Sequence, residues 1–76
     1  MNNNRRKRIV VIKKQLRSLQ TELENIKNEE QYSFDHIPYS FLTSDKAEEM
    51  SDSIESLTSA CTAFENIIEY LDNALA

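Results

Sequence analysis

The sequence predicts an all-α chain folded as an antiparallel two-helix hairpin, and three observations carry that prediction. Apolar residues recur at alternating spacings of three and four along two long stretches, the chain has no glycine and a single proline, and its charge is segregated between the two stretches. Alternating three-four spacing marks helices that meet along a coiled-coil seam. Sheet proteins need turn residues roughly every 8–12 positions, and these 76 residues do not supply them.

The first stretch runs Ile9, Ile12, Leu16, Leu19, Leu23, Ile26, with Val10 and Val11 widening its apolar face near the start. The next core position falls on Glu30, where the seam ends, so helix 1 is expected over about residues 4–31. The second stretch is longer: Ala47, Met50, Ile54, Leu57, Cys61, Phe64, Ile68, Leu71, Leu75. Ala60, Ile67 and Ala74 flank it, which is broader than a two-stranded seam needs and implies more than one neighbouring helix. Helix 2 is expected over about 44–75, with Ser44 or Asp45 as N-cap and Asp45 with Glu48 as a capping-box variant.

Between them, residues 32–43 form the expected loop. Its stretch YSFDHIPYSF holds four of the six aromatics, the only proline and the only histidine. Phe34, Ile37 and Phe41 are expected to close over the end of the seam. Tyr39 and His36, which have polar ends, are with Tyr32 the candidate contacts for a partner protein, since aromatic anchors dominate protein interfaces.

The charge pattern sets the direction of the second helix. Residues 1–20 carry seven basic groups (Arg5, Arg6, Lys7, Arg8, Lys13, Lys14, Arg17) and no acid, whereas the remainder carries thirteen acids against Lys27 and Lys46. Cations at a helix start and anions at a helix end both oppose the macrodipole. Antiparallel docking makes both favourable by placing the basic start beside Glu65, Glu69 and Asp72.

One domain is the most that this length allows, and a chain so short buries a modest share of its surface. Small folds are helped by disulfides, metals, oligomerisation or unusually regular helix packing. A single cysteine excludes an internal disulfide and a single histidine leaves little for zinc. Self-association of two hairpins into a four-helix bundle is therefore expected. The longest apolar run, Ile9–Ile12, is far too short to cross a membrane. The expectation is a cytoplasmic protein with no membrane partner.

For catalysis, the one nucleophile–base pair on offer is Cys61 with His36, but Cys61 occupies a seam position where a small hydrophobe packs. Without glycine there is no phosphate-cradling loop, and neither HExxH nor CxxC occurs. The chain is read as a non-enzyme with no cofactor and no metal. Two carboxylate rows, Glu48, Asp52 and Glu55, then Glu65, Glu69 and Asp72, fit a solvated face better than a cation site. Residues 51–63 (SDSIESLTSACTA) are either a close-approach docking face or a helix of modest propensity, and both readings stay open.

From Glu29 to Ala74 the chain resembles small uncharacterised helical-hairpin proteins, mostly prophage-borne, of Firmicutes-type bacteria. Phe34, Asp35, Ile37, Pro38 and Ser40 match an F-D-x-(M/I)-P-x-S pattern. Ser44, Asp45, Lys46, Glu48 and Met50 match S-(D/E)-(K/R)-x-E-x-M, and Ile54 and Leu57 continue it without a gap. The resemblance implies a coiled-coil hairpin on a mobile element. It departs at His36 and Tyr39, and in the Ser, Thr and Cys residues of helix 2, where those proteins are more acidic. It also implies a purpose, binding and inhibiting a host protein such as a defence component.

Three functions are thus expected in contention. The first is a protein-binding module acting on a host or phage protein and on itself. The second is an oligomer that grips nucleic acid or nucleotides through Arg5, Arg6, Lys7, Arg8, Lys13, Lys14 and Arg17. The third is a self-assembling structural protein whose only partner is itself.

Overall fold

The computed structural model, which describes residues 1–76, is a rod of 59 × 15 × 14 Å made of two antiparallel helices. Helix α1 spans Asn3–Asp35 and helix α2 spans Asp45–Leu75, with a single 3-10 turn, Tyr39–Phe41, between them.

Each helix begins on a side-chain cap. Asn2 accepts from the Arg5 N–H at 2.8 Å to start α1, and the Ser44 hydroxyl accepts from the Ala47 N–H at 3.2 Å to start α2. Asp45 and Glu48 lie in the first turn of α2, where carboxylates suit the positive end of the helix. Helix α1 runs one turn past the expected end at residue 31, so Tyr32 belongs to the helix and the connection shortens to residues 36–44. Nothing in Tyr32–Asp35 breaks a helix, and Gln31 donates to Asp35 at 2.8 Å across the added turn. Pro38 stops it, because the residue before a proline is pushed out of the helical region.

The reversal uses no left-handed residue, which is how a chain without glycine can turn. Pro38 (φ −56°, ψ 141°) and Ser44 (φ −72°, ψ 157°) supply two extended steps. The 3-10 turn between them is held by Phe41 N–H to Pro38 C=O at 2.8 Å and Ser44 N–H to Phe41 C=O at 3.0 Å.

Helix α2 meets α1 along the expected seam. All nine positions from Ala47 to Leu75 are covered at least in part, and Ala47, Cys61 and Ile68 are buried. Helix α1 does not present the row expected of it. Its covered positions are Arg6, Ile9, Lys13, Leu16, Gln20, Leu23, Lys27, Glu30 and Phe34, again at alternating three-four spacing, with Gln31 partly covered beside them. Ile9, Leu16 and Leu23 are common to the expected and observed rows, whereas Ile12, Leu19 and Ile26 are between 45% and 53% exposed. The helix is turned by about 50° from the all-apolar seam, at 100° per residue.

Polar pairing accounts for the turn. Lys13 forms an ion pair with Asp72, Gln20 donates to Glu65 at 2.5 Å, and Arg6 donates to the Leu75 carbonyl at 2.5 Å. Of the expected docking of the basic start on Glu65, Glu69 and Asp72, one base–acid pair is present, Lys13 with Asp72, while Glu65 is met by the neutral Gln20 and Glu69 takes no part. Arg6 places a cation on the negative end of α2, where it is favourable.

Candidate functional site

At the corner, α1 ends in a small aromatic platform. The Tyr32 and His36 rings stack with centroids 4.0 Å apart, and His36 Nδ1 lies 2.7 Å from the Tyr32 carbonyl. A carbonyl only accepts, so Nδ1 is the donor in this contact. Tyr39, first residue of the 3-10 turn, is 90% exposed and stands clear of the body. The three sequence-derived contact candidates, Tyr32, His36 and Tyr39, are therefore all exposed and gathered at one end of the rod.

Phe41 corrects the expectation that it caps the seam, since it is 59% exposed. In a 3-10 turn consecutive side chains point about 120° apart, so Tyr39, Ser40 and Phe41 cannot all face inward. Phe34 and Ile37, delivered by the end of α1, take the covered places instead. Phe41 borders an open apolar hollow with Ile37, Pro38 and Met50, and Lys46 stands at its rim. Leu42 is exposed as well.

The seven basic residues divide into two groups. Arg6 and Lys13 are occupied on α2, while Arg5, Lys7, Arg8, Lys14 and Arg17 are exposed around the start of α1. Asp72 lies beside Lys13 near that end of the rod, so any phosphate arriving there meets an acid too.

The remaining candidates are separated or spoken for. Cys61 is buried, sixteen residues along α2 from its start, which is about 24 Å of helix, whereas His36 is exposed at the corner. Glu65 and Asp72 lie beside α1, while Glu69 and the other carboxylate row, Glu48, Asp52 and Glu55, face solvent. In residues 51–63, the hydroxyls of Thr58 and Thr62 bond back to the carbonyls of Ile54 and Thr58 at 2.8 and 3.1 Å. These bonds satisfy the hydroxyls within the helix itself.

One surface goes beyond these candidates. Around α1 the order is the Ile12, Leu19, Ile26 row, then Ile9, Leu16, Leu23, then Lys13 and Gln20. Around α2 it is Asp72 and Glu65, then the seam, then Ala60, Ile67 and Ala74. Lys13 and Gln20 meet Asp72 and Glu65 on one side of the hairpin. The two apolar rows therefore share the opposite side. The charge register carries this in the sequence: Lys13 with Asp72 and Gln20 with Glu65 are seven apart on both helices, a pairing that competes with the all-apolar row.

No protein-family model matches the chain, and neither a curated protein nor a solved structure matches it significantly.

Proposed function

We propose that this chain is a non-enzymatic protein-binding module whose corner docks into a concave apolar pocket on a partner protein, the two helices serving as a stem. The observation that carries this reading is the 90% exposure of Tyr39 on a turn whose backbone is hydrogen-bonded on both sides, with exposed Phe41 and the Tyr32–His36 stack beside it. Rigid aromatic side chains with polar tips lose little entropy on binding and dominate interface energetics. The resemblance to prophage-borne hairpins makes a protein of the bacterial host, including a defence component, the partner to seek, with inhibition as the consequence. No helix here is long and apolar enough to cross a membrane, which is compatible with action inside that cell.

The test is affinity capture from a Gram-positive lysate with the wild type and with Tyr39→Ala/Phe41→Ala, both checked for helicity by circular dichroism. The wild type is expected to retain a defined protein that the double variant loses, with affinity reduced by about thirtyfold or more, the usual scale for an aromatic hot spot. Equal capture by both proteins would remove the corner from the interface. Capture of no protein by either would favour the structural reading, in which the chain binds only itself. Capture of nucleic acid that weakens steeply with salt would favour the basic start of α1 instead.

A further inference from the structure

Only four residues of this chain are buried, and three of them are apolar. The apolar side described above is where the missing cover belongs, and its pattern specifies what provides it. With Lys13 beside Asp72 and Gln20 beside Glu65, the register places Ile12, Leu19 and Ile26 about one residue from level with Ala74, Ile67 and Ala60. The two apolar rows are thus symmetrical about the level of Leu19 and Ile67, with one isoleucine and one alanine at equal distances on either hand. A surface with this pattern is complementary to a copy of itself turned end for end.

The flanking charges point the same way. Along the outer edge of α1 the next row reads Arg8, Gln15, Glu22, Glu29. Reversed about Leu19, Arg8 faces Glu29 and Gln15 faces Glu22, so unlike charges meet at both ends. On α2 the outer row reads Glu49, Ser56, Ala63, Tyr70 and the row beside it Lys46, Ser53, Ala60, Ile67, Ala74, so beyond the first turns of the helix neither row carries a charge. Ser53, Ser56, Ala60 and Ala63 are small and uncharged and permit close approach of a second helix, and Glu49 is the one acid in these two rows. A side of 59 by 15 Å has a projected area on the order of 900 Å², comparable to the roughly 800 Å² per partner of a stable interface.

We infer that the occupant is a second copy of this chain, packed face to face about a two-fold axis that runs across the helices at the level of Leu19 and Ile67. In this four-helix bundle α1 lies antiparallel to the partner's α1 and α2 to the partner's α2. The alternative two-fold, along the helices, would set both basic starts at the same end and leave Arg8 without Glu29. The inferred arrangement also brings each corner, with Tyr32 and His36, beside the basic start of the other copy. It uses a different surface from the corner reading and stands or falls separately.

Light scattering on the full chain should give twice its 8.9 kDa mass. Leu19→Lys puts two like charges at the two-fold, and is expected to weaken dimerisation at least about hundredfold, because like-charge juxtaposition is strongly unfavourable. Leu19 is already half exposed in the hairpin, so helicity measured at high concentration reports whether the monomer survives. Arg8→Glu should weaken the dimer, and adding Glu29→Arg should restore it. In a Cys61→Ala background, Leu19→Cys should oxidise to a disulfide-linked dimer without any second cysteine. A monomeric wild type overturns the inference, as does a Leu19→Lys protein that stays dimeric. A dimer in which Leu19→Cys fails to cross-link overturns the two-fold. Should Leu19→Lys unfold, the wild-type mass and the cross-link still decide.

Discussion

Gln20 is the one buried polar residue, and it is held by Glu65. A donor meeting a carboxylate makes a charge-assisted bond, the stronger kind, and leaving that donor unmet in the interior costs about 1–3 kcal/mol. Glu65→Ala is therefore expected to lower stability by about that amount. Gln20→Leu removes the demand and fills the seam, so it should be neutral or raise stability by about 1 kcal/mol. Urea denaturation of both variants and of the double variant, at one protein concentration, checks this. If Gln20→Leu is stabilising, the amide is there to fix the rotation of α1, in the way that single polar residues fix register in coiled coils. Lys13 with Asp72 adds direction but little energy, because both groups keep solvent contact.

At the level of elements, α2 depends on its first turn. Ser44 is both an extended step of the reversal and the cap of the helix, and it is half-buried. Ser44→Ala should cost about 1 kcal/mol, read as a lower denaturation midpoint. A fall below a few tenths of a kcal/mol would mean that water replaces the hydroxyl. The two helices, their antiparallel sense and the α2 seam were legible in the sequence because each rests on a repeating pattern of many residues. The rotation of α1 was not, because apolar periodicity favours the Ile12, Leu19, Ile26 row and three polar contacts decide otherwise. Nor was the exposure of Phe41, which follows from the tight 3-10 geometry of three residues. Of the corner candidates, the exposure of Tyr39 could be anticipated from its polar end. The stacking of His36 on Tyr32 could not, since it required α1 to run on to Asp35.

For the whole molecule, so little interior in 76 residues means that stability and assembly are hard to separate. If the face-to-face dimer forms, its thermal midpoint must rise with concentration. A hundredfold increase adds about 2.7 kcal/mol by mass action, equivalent to about 5–10 °C for two chains of this size. A midpoint independent of concentration in calorimetry would show that the hairpin carries its own stability. The bond from Arg6 to the Leu75 carbonyl has a further effect, because it holds the beginning and the end of the chain side by side. A pull on the two ends therefore loads the hairpin as a zipper, opening contacts in series from Arg6 toward the corner. Rows opened one after another resist far less force than rows sheared together. A molecular machine that draws in both ends would meet a soft substrate, with the aromatic corner the last part to come undone.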